Sequence, residues 1–192
     1  MPRLYVIVGP NGSGKSSIIT GTGLDSVCRS IINPDNYARR ITSIPDEMER
    51  YRIALDECGR IRTMLMESGA DFGMETVGSG DDKLEFISRA KDQGYTVNLL
   101  FVTTGDPDIN VSRVRYRAES GGHDVPEDKI RSRYARTMSR LGRYLELADE
   151  AVVIDNSGEH PVVVFLKDGD GIGFPSVAPD WLREHVTDNP VN

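Results

Sequence analysis

The sequence is poor in several things, and each shortage excludes something. Only two cysteines, Cys28 and Cys58, occur in 192 residues, with neither metal-ligand spacing nor a partner motif. They read as buried or half-buried thiols of a reducing compartment rather than as a disulfide framework or a zinc site. No apolar run approaches the roughly 20 residues of a membrane span. The opening MPRLYVIVGPNG lacks the longer apolar core and small-residue cleavage site of a secretory signal. A cytoplasmic location without membrane contact is therefore expected. Basic residues are outnumbered, 23 Lys and Arg against 30 Asp and Glu, for a net charge of −7. That balance argues against a nucleic-acid partner, which would call for a basic footprint. There is no internal repeat and no low-complexity stretch, and the length is too short for two ordinary domains, so one domain over 1–192 is expected.

What is present is an alternation of strand-like and helix-like segments. LYVIVG (4–9) is a short apolar run bounded by Gly-Pro and reads as a buried strand. A Gly/Ser loop leads into a helix that starts at Lys15 and stops at Gly21 or Gly23. VCRSIIN (27–33) is predicted as a second strand ending at Pro34. Between Pro45 and Ser68 the apolar positions Met48, Tyr51, Leu55, Cys58, Ile61 and Leu65 recur at three and four, which predicts a long amphipathic helix. ADFGMETV (70–77) reads as a strand, DKLEFISRAKDQG (82–94) as a helix closed by glycine, and YTVNLLFVTT (95–104) as a central strand. Asp106-Pro107 opens a helix through about Ala118, with proline just inside its start. Asp124 and Glu127 have capping-box spacing for the next helix. EAVVIDN (150–156) and PVVVFLKDG (161–169) complete the sheet, and the polar tail 187–192 is expected to fray. Such alternation predicts an α/β fold, three-layered and doubly wound around a mostly parallel sheet.

GPNGSGKS (9–16) fits G-x-x-x-x-G-K-[ST], with Gly9, Gly14, Lys15 and Ser16 at the fixed positions and Pro10, Asn11, Gly12 and Ser13 between them. Glycines let backbone N–H groups converge on phosphate oxygens without an intervening side chain. Lys15 suits the β- and γ-phosphates, and the Ser16 hydroxyl, with waters, suits Mg²⁺. Ser17 continues the helix whose N-terminal partial charge faces the same anion. The strand before and the helix after give the pattern its meaning. ATP or GTP with Mg²⁺ is the predicted ligand of residues 9–17.

Two classes of protein share such a loop and the sequence separates them. SGG at 120–122 resembles the segment by which an ABC-type ATPase contacts nucleotide across a dimer. That class also needs an Asp-Glu pair ending an apolar strand, and AVVIDNS offers Asp155 followed by Asn156. A small-molecule kinase needs instead a carboxylate near the acceptor hydroxyl, cations on the transferring phosphate and a water-excluding lid. Asp35 in INPDNYARR, twenty residues after Lys15, is the carboxylate candidate, with Arg39 beside it on the acceptor side. The plain alternative is an Asx-turn after Pro34. Glu75 and Thr76 end the third predicted strand and are candidates for holding acceptor or magnesium-bound water.

Eight arginines lie between Arg113 and Arg143. Arg113 and Arg117 share a helix face, from which Arg115 points away. Arg133, Arg136, Arg140 and Arg143 form a second stripe, with Arg131 off it. Stripes of this kind are ordinarily solvated; GGHDVP between the two helices, supplying a hinge and a cap, is what suggests a lid over about 106–145. The expected catalytic cations are Arg117 and one of Arg131 and Arg133. His123 reads as a hinge residue.

GPNGSGKSS, NPD, the CGR at 58–60, FGMETVGSG, AKDQGYTVNLLFV, RVRYRAESGGHDVPEDKIRSRYAR and LADEAVVIDNS occur in an order similar to that of zeta-toxin-like P-loop kinases, over roughly residues 3–157. The resemblance implies an adenylate-kinase-like P-loop NTPase fold with an arginine-bearing helical lid. It implies an ATP- and Mg²⁺-dependent phosphotransferase acting on a hydroxyl, with UDP-N-acetylglucosamine the leading acceptor and an antitoxin as protein partner. By motif, Lys15 and Ser16 would bind ATP and metal. Asp35 would be the base, Glu75 and Thr76 acceptor-side residues, and Arg117 with Arg131 or Arg133 the arginines on the transferring phosphate. The plasmid toxins read Glu-x-Thr where this chain has Glu75-Thr76-Val77. Two other readings use the same loop: a nucleotide-dependent switch or slow ATPase working through a protein partner, and a kinase of nucleic-acid ends.

Overall fold

Strand β1 (Arg3–Val8) buries Leu4, Val6, Ile7 and Val8 alike, which a strand achieves only where helices cover both faces of its sheet. The computed structural model describes all residues except 29, 122–124, 170, 175–176 and 187–192. In it β1 pairs in parallel with β3 (Phe72–Thr76) on one side and with β4 (Thr96–Thr103) on the other. β2 (Ile31–Ile32) and β5 (Glu150–Asp155) extend the parallel part outward. β6 (Val162–Asp168) and β7 (Gly171–Gly173) add antiparallel strands at one edge. The seven strands run in the order β2-β3-β1-β4-β5-β6-β7.

The helices are α1 (Lys15–Thr22), α2 (Leu24–Val27), α3 (Pro34–Arg40), α4 (Glu47–Glu67), α5 (Asp82–Asp92), α6 (Pro107–Glu119), α7 (Glu127–Met138), α8 (Leu141–Leu147) and α9 (Asp180–Val186). Alternation along the strands divides the core. Val6, Phe72, Val97, Phe101 and Val153 face Met66 of α4, Phe86 of α5, Leu145 of α8 and Leu182 of α9. Val102 and Ile154 face Ile18 of α1 on the other side. Phe72 anchors the larger layer edge-on to Phe86 and Tyr95, with ring centroids 6.3 and 5.8 Å away. The three-layer, mostly parallel sheet matches the expectation. Cys28 and Cys58 are both buried and free, and no described helix is long and apolar enough to cross a membrane.

The differences from the sequence reading lie at the ends of elements and in several short additional ones. Among the described residues of 27–33 there is no continuous strand: Val27 closes α2, and only Ile31 and Ile32 pair, with β3. After it, Asn33 caps a helix rather than leaving Asp35 in an isolated turn. Its Oδ1 accepts from the N–H groups of Asp35 and Asn36 at 2.8 and 3.2 Å, and Pro34 takes the first helical position. The arginine stripe breaks, since α7 ends at Met138 and Arg140 sits in the turn before α8. α8, β7 and α9 were not foreseen. Gly122, His123, Asp124 and the 187–192 tail lie outside the described residues, so the hinge and capping box there stay expectations; Pro126 precedes α7 without a side-chain cap.

Candidate nucleotide-binding site

The loop from β1 to α1 is shaped by how closely other elements approach it. A Cβ at Gly9 would stand 2.0 Å from the Val102 carbonyl oxygen. Gly12 combines φ 77° with a backbone contact: a Cβ there would be 2.5 Å from the Asn110 carbonyl oxygen. No L side chain satisfies both conditions. The loop closes through Ser13 N–H to Pro10 O at 3.2 Å. Two side chains grip it from outside: Asn110 Nδ2 donates to Asn11 O at 2.6 Å, and Asn156 Nδ2 to Ser13 O at 2.8 Å.

Lys15 Nζ folds back onto the loop, donating to Gly9 O at 2.7 Å and Pro10 O at 3.1 Å. Burial lowers its pKa; Glu75 and Asp35 oppose that shift and Arg117 adds to it. Carboxylates from α3 and β3 and a guanidinium from α6 thus all act on one ammonium. Ser16 and Ser17 are exposed at the start of α1, and Ser16 Oγ lies 3.5 Å from Glu75 Oε1.

Beyond the end of β2, Asp35 is exposed in the first turn of α3, and Arg39, four residues on, shares its face. Asn33 Nδ2 donates to Glu75 Oε2 at 2.6 Å, so one side chain links the ends of β2 and β3. Thr76 turns back on its own strand end, its hydroxyl accepting from Gly78 N–H at 3.1 Å while its carbonyl accepts from Gly9 N–H at 3.3 Å. Tyr51 of α4 is half-buried. Burial raises its pKa, with Asp35 adding to the shift and Arg133 opposing it. Asn33 and Tyr51 were both missed in the sequence; the first is visible in hindsight as Asn-Pro at a strand-to-helix junction.

The arginines divide by what they touch. Arg133 is half-buried and its Nη1 lies 3.4 Å from Asn11 Oδ1. Arg131 is exposed and held outside, Nη2 at 2.5 Å from Asp108 and 2.8 Å from Glu127. Arg115 reaches Glu127 at 3.5 Å, and Arg140 donates to both Asp81 oxygens at 2.9 and 3.1 Å. The sequence left Arg131 and Arg133 as alternatives; ion pairs turn the first outward, and the second reaches the loop. Arg113, which the sequence ranked below Arg117, has a buried Nη1 with no hydrogen-bond partner.

These features suit a polyphosphate. A lysine resting on carbonyls and the buried, unpaired Ser13 hydroxyl are loop donors that an anion would satisfy. One hydroxyl beside one carboxylate suits Mg²⁺, which usually keeps waters and phosphate oxygens as its remaining ligands. Among the described residues no group of three or more His, Cys, Asp or Glu forms a metal cluster of another kind.

The zeta toxin family model matches residues 1–171. An uncharacterized protein of Haemophilus influenzae is 31% identical over 130 residues, which cover 66% of this chain and 88% of that protein. A chain of the AvrRxo1-ORF1:AvrRxo1-ORF2 crystal structure with sulphate ions has a TM-score of 0.77 at 16% identity, covering 100% of this chain and 66% of that one. The structure of that complex with ATP gives 0.73 at 17%, covering 94% and 66%. The PezAT chromosomal toxin-antitoxin system of Streptococcus pneumoniae gives 0.68 at 18%, covering 98% and 80%. The alignment thus spans about two thirds of the AvrRxo1 chain, 66%. At these identities the structural likenesses establish the fold alone, an α/β fold shared with these toxin-complex chains.

Proposed function

We propose, on the premise that this chain belongs to the zeta toxin family, that it transfers the γ-phosphoryl group of ATP to a hydroxyl of a small metabolite. The observation that carries the reading is what meets at the loop: Ser16 beside Glu75 at 3.5 Å, Arg133 against Asn11 at 3.4 Å, and Lys15, whose charge Glu75 and Asp35 favour and Arg117 opposes. A site that only holds nucleotide needs no second, exposed carboxylate within electrostatic reach of Lys15. A site for transfer does, because the incoming hydroxyl must be oriented and relieved of its proton.

In this reading Lys15 leaves the Gly9 and Pro10 carbonyls for the β- and γ-phosphate oxygens. Asp35 accepts the acceptor's hydroxyl proton as the new O–P bond forms and the bond between the γ-phosphorus and the β–γ bridging oxygen breaks, with ADP as the leaving group. Arg113, Arg117 and Arg133 face the charge spread over the transferring group. Ser16, with Glu75 on the water shell, would hold Mg²⁺, which supplies neutralisation of phosphate charge. Asn33 and Tyr51 line the approach of the acceptor, with Arg39 and Thr76 further along the same edge.

UDP-N-acetylglucosamine is the leading acceptor, on family resemblance. An antitoxin-like protein is the proposed partner, supported by relatives named as the AvrRxo1-ORF1:-ORF2 complex and the PezAT toxin-antitoxin system. A cytoplasmic setting fits both. The test is incubation with γ-labelled ATP, Mg²⁺ and the sugar nucleotide, or a metabolite extract. Label in a new small molecule supports the reading; label released only as inorganic phosphate favours a slow ATPase instead.

A further inference from the structure

Asn110 and Asn156 come from different elements, α6 and the end of β5, yet do the same thing. Each aims a carboxamide N–H at a carbonyl of the phosphate loop, Asn110 at Asn11 O (2.6 Å) and Asn156 at Ser13 O (2.8 Å). A trans peptide sends its C=O and the next residue's N–H to opposite sides. A carbonyl drawn outward toward Asn110 therefore turns the Gly12 N–H inward, and one drawn toward Asn156 turns the Gly14 N–H inward. These two glycines have φ of 77° and 92°, a conformation in which the peptide on either side can reorient unless something holds it.

Both holders are themselves held. Asn110 is completely buried, with Oδ1 on the hydroxyl of Thr104, which is also completely buried. The Thr104 carbonyl in turn accepts from Tyr134 at 2.7 Å. Asn156 is fixed by its own N–H on Thr103 O at 2.8 Å. A buried amide used only for packing would cost more than an apolar side chain of equal volume. A fully satisfied one specifies a single geometry. The loop residue that Asn110 holds by its carbonyl also meets Arg133 through its side chain, at 3.4 Å. Setting that peptide thereby sets the loop against a lid arginine.

We propose that Asn110 and Asn156 are positioning residues for phosphate binding: two amide clamps, outside the loop motif, that turn the Gly12 and Gly14 N–H groups toward the triphosphate. This rests on nucleotide binding in the reading above and is independent of the acceptor. Neither asparagine needs to touch the nucleotide.

The test replaces each donor by an isosteric acceptor, Asn110→Asp and Asn156→Asp, so that carboxylate repels carbonyl and the peptide is released. Binding of ATP and of inorganic tripolyphosphate is measured by calorimetry without acceptor, beside the melting temperature of the free protein. Each variant should weaken both ligands by a similar factor, roughly tenfold or more, the worth of one well-placed hydrogen bond. Asn156 is half-buried, so its variant decides the matter if a charge at position 110 prevents folding. A folded variant with unchanged affinities, or a loss confined to ATP and absent for tripolyphosphate, would overturn the clamps alone. Wild-type protein that binds neither ligand would overturn the proposed function together with them.

Discussion

Asn33 and Glu75 meet at 2.6 Å, amide to carboxylate, while the other end of the same amide caps the helix that begins beside Asp35. One uncharged side chain thus ties Glu75 to the start of the helix that carries Asp35. Replacing Asn33 by alanine removes a cap worth about 0.5–2 kcal/mol and takes away the 2.6 Å partner of Glu75. Phosphoryl transfer should fall at least tenfold, roughly the effect of one lost positioning hydrogen bond, with ATP affinity changed much less. Steady-state kinetics alongside direct nucleotide binding separate the two; equal losses in both would count against the assignment.

Arg131 and Arg133 lie two residues apart and should behave oppositely. Arg133→Ala is expected to lower turnover by roughly 10²–10³-fold, the usual effect of removing a transition-state cation. Arg131→Ala breaks exposed ion pairs, which are generally worth about 0–1 kcal/mol, and should leave turnover near wild type. Measured kcat values for the two variants decide the order.

Gly9 tolerates no side chain. With the Val102 carbonyl oxygen 2.0 Å from where a Cβ would stand, Gly9→Ala forces β1 and β4 apart at the loop. Thermal unfolding should show destabilisation of roughly 1–3 kcal/mol, as overpacking commonly gives, and nucleotide binding should be lost. A variant that melts and binds like wild type would contradict the close approach.

Lys15 provides a pH signature. Its pKa is lowered in the free protein, first by burial, and a bound triphosphate favours the charged ammonium. Between the depressed value and the higher value of the complex, the free protein carries neutral lysine and the complex charged lysine, so ATP binding takes up a proton. Below the depressed value both states are charged and uptake vanishes. Titration calorimetry at alkaline pH, in buffers of different ionisation enthalpy, should detect this uptake, and Lys15→Met should abolish it.

The phosphate loop was legible because its chemistry is local: eight consecutive residues between a strand and a helix. The central strands were legible because strands covered on both faces are written as near-continuous apolar runs, as in the VIV of LYVIVG. β2 was overextended because its flanks are taken up by helices: Val27 closes α2 and Asn33 already caps α3, so Ile31 and Ile32 are what pairs with β3. Asn110 and Asn156 were invisible as loop holders, since their partners are backbone atoms 99 and 143 residues away. Choosing between Arg131 and Arg133 required knowing that Asp108 and Glu127 approach the first. Helical spacing puts both on the surface, and only tertiary packing says which side faces the loop.

The most direct test of the whole account is phosphoryl transfer by Asp35→Ala, measured with γ-labelled ATP and the acceptor that the wild-type protein labels, beside ATP affinity by calorimetry. The account predicts ATP affinity close to wild type and transfer reduced by roughly 10²–10⁴-fold, the range for loss of a general base. Transfer at the wild-type rate with ATP still bound would contradict it.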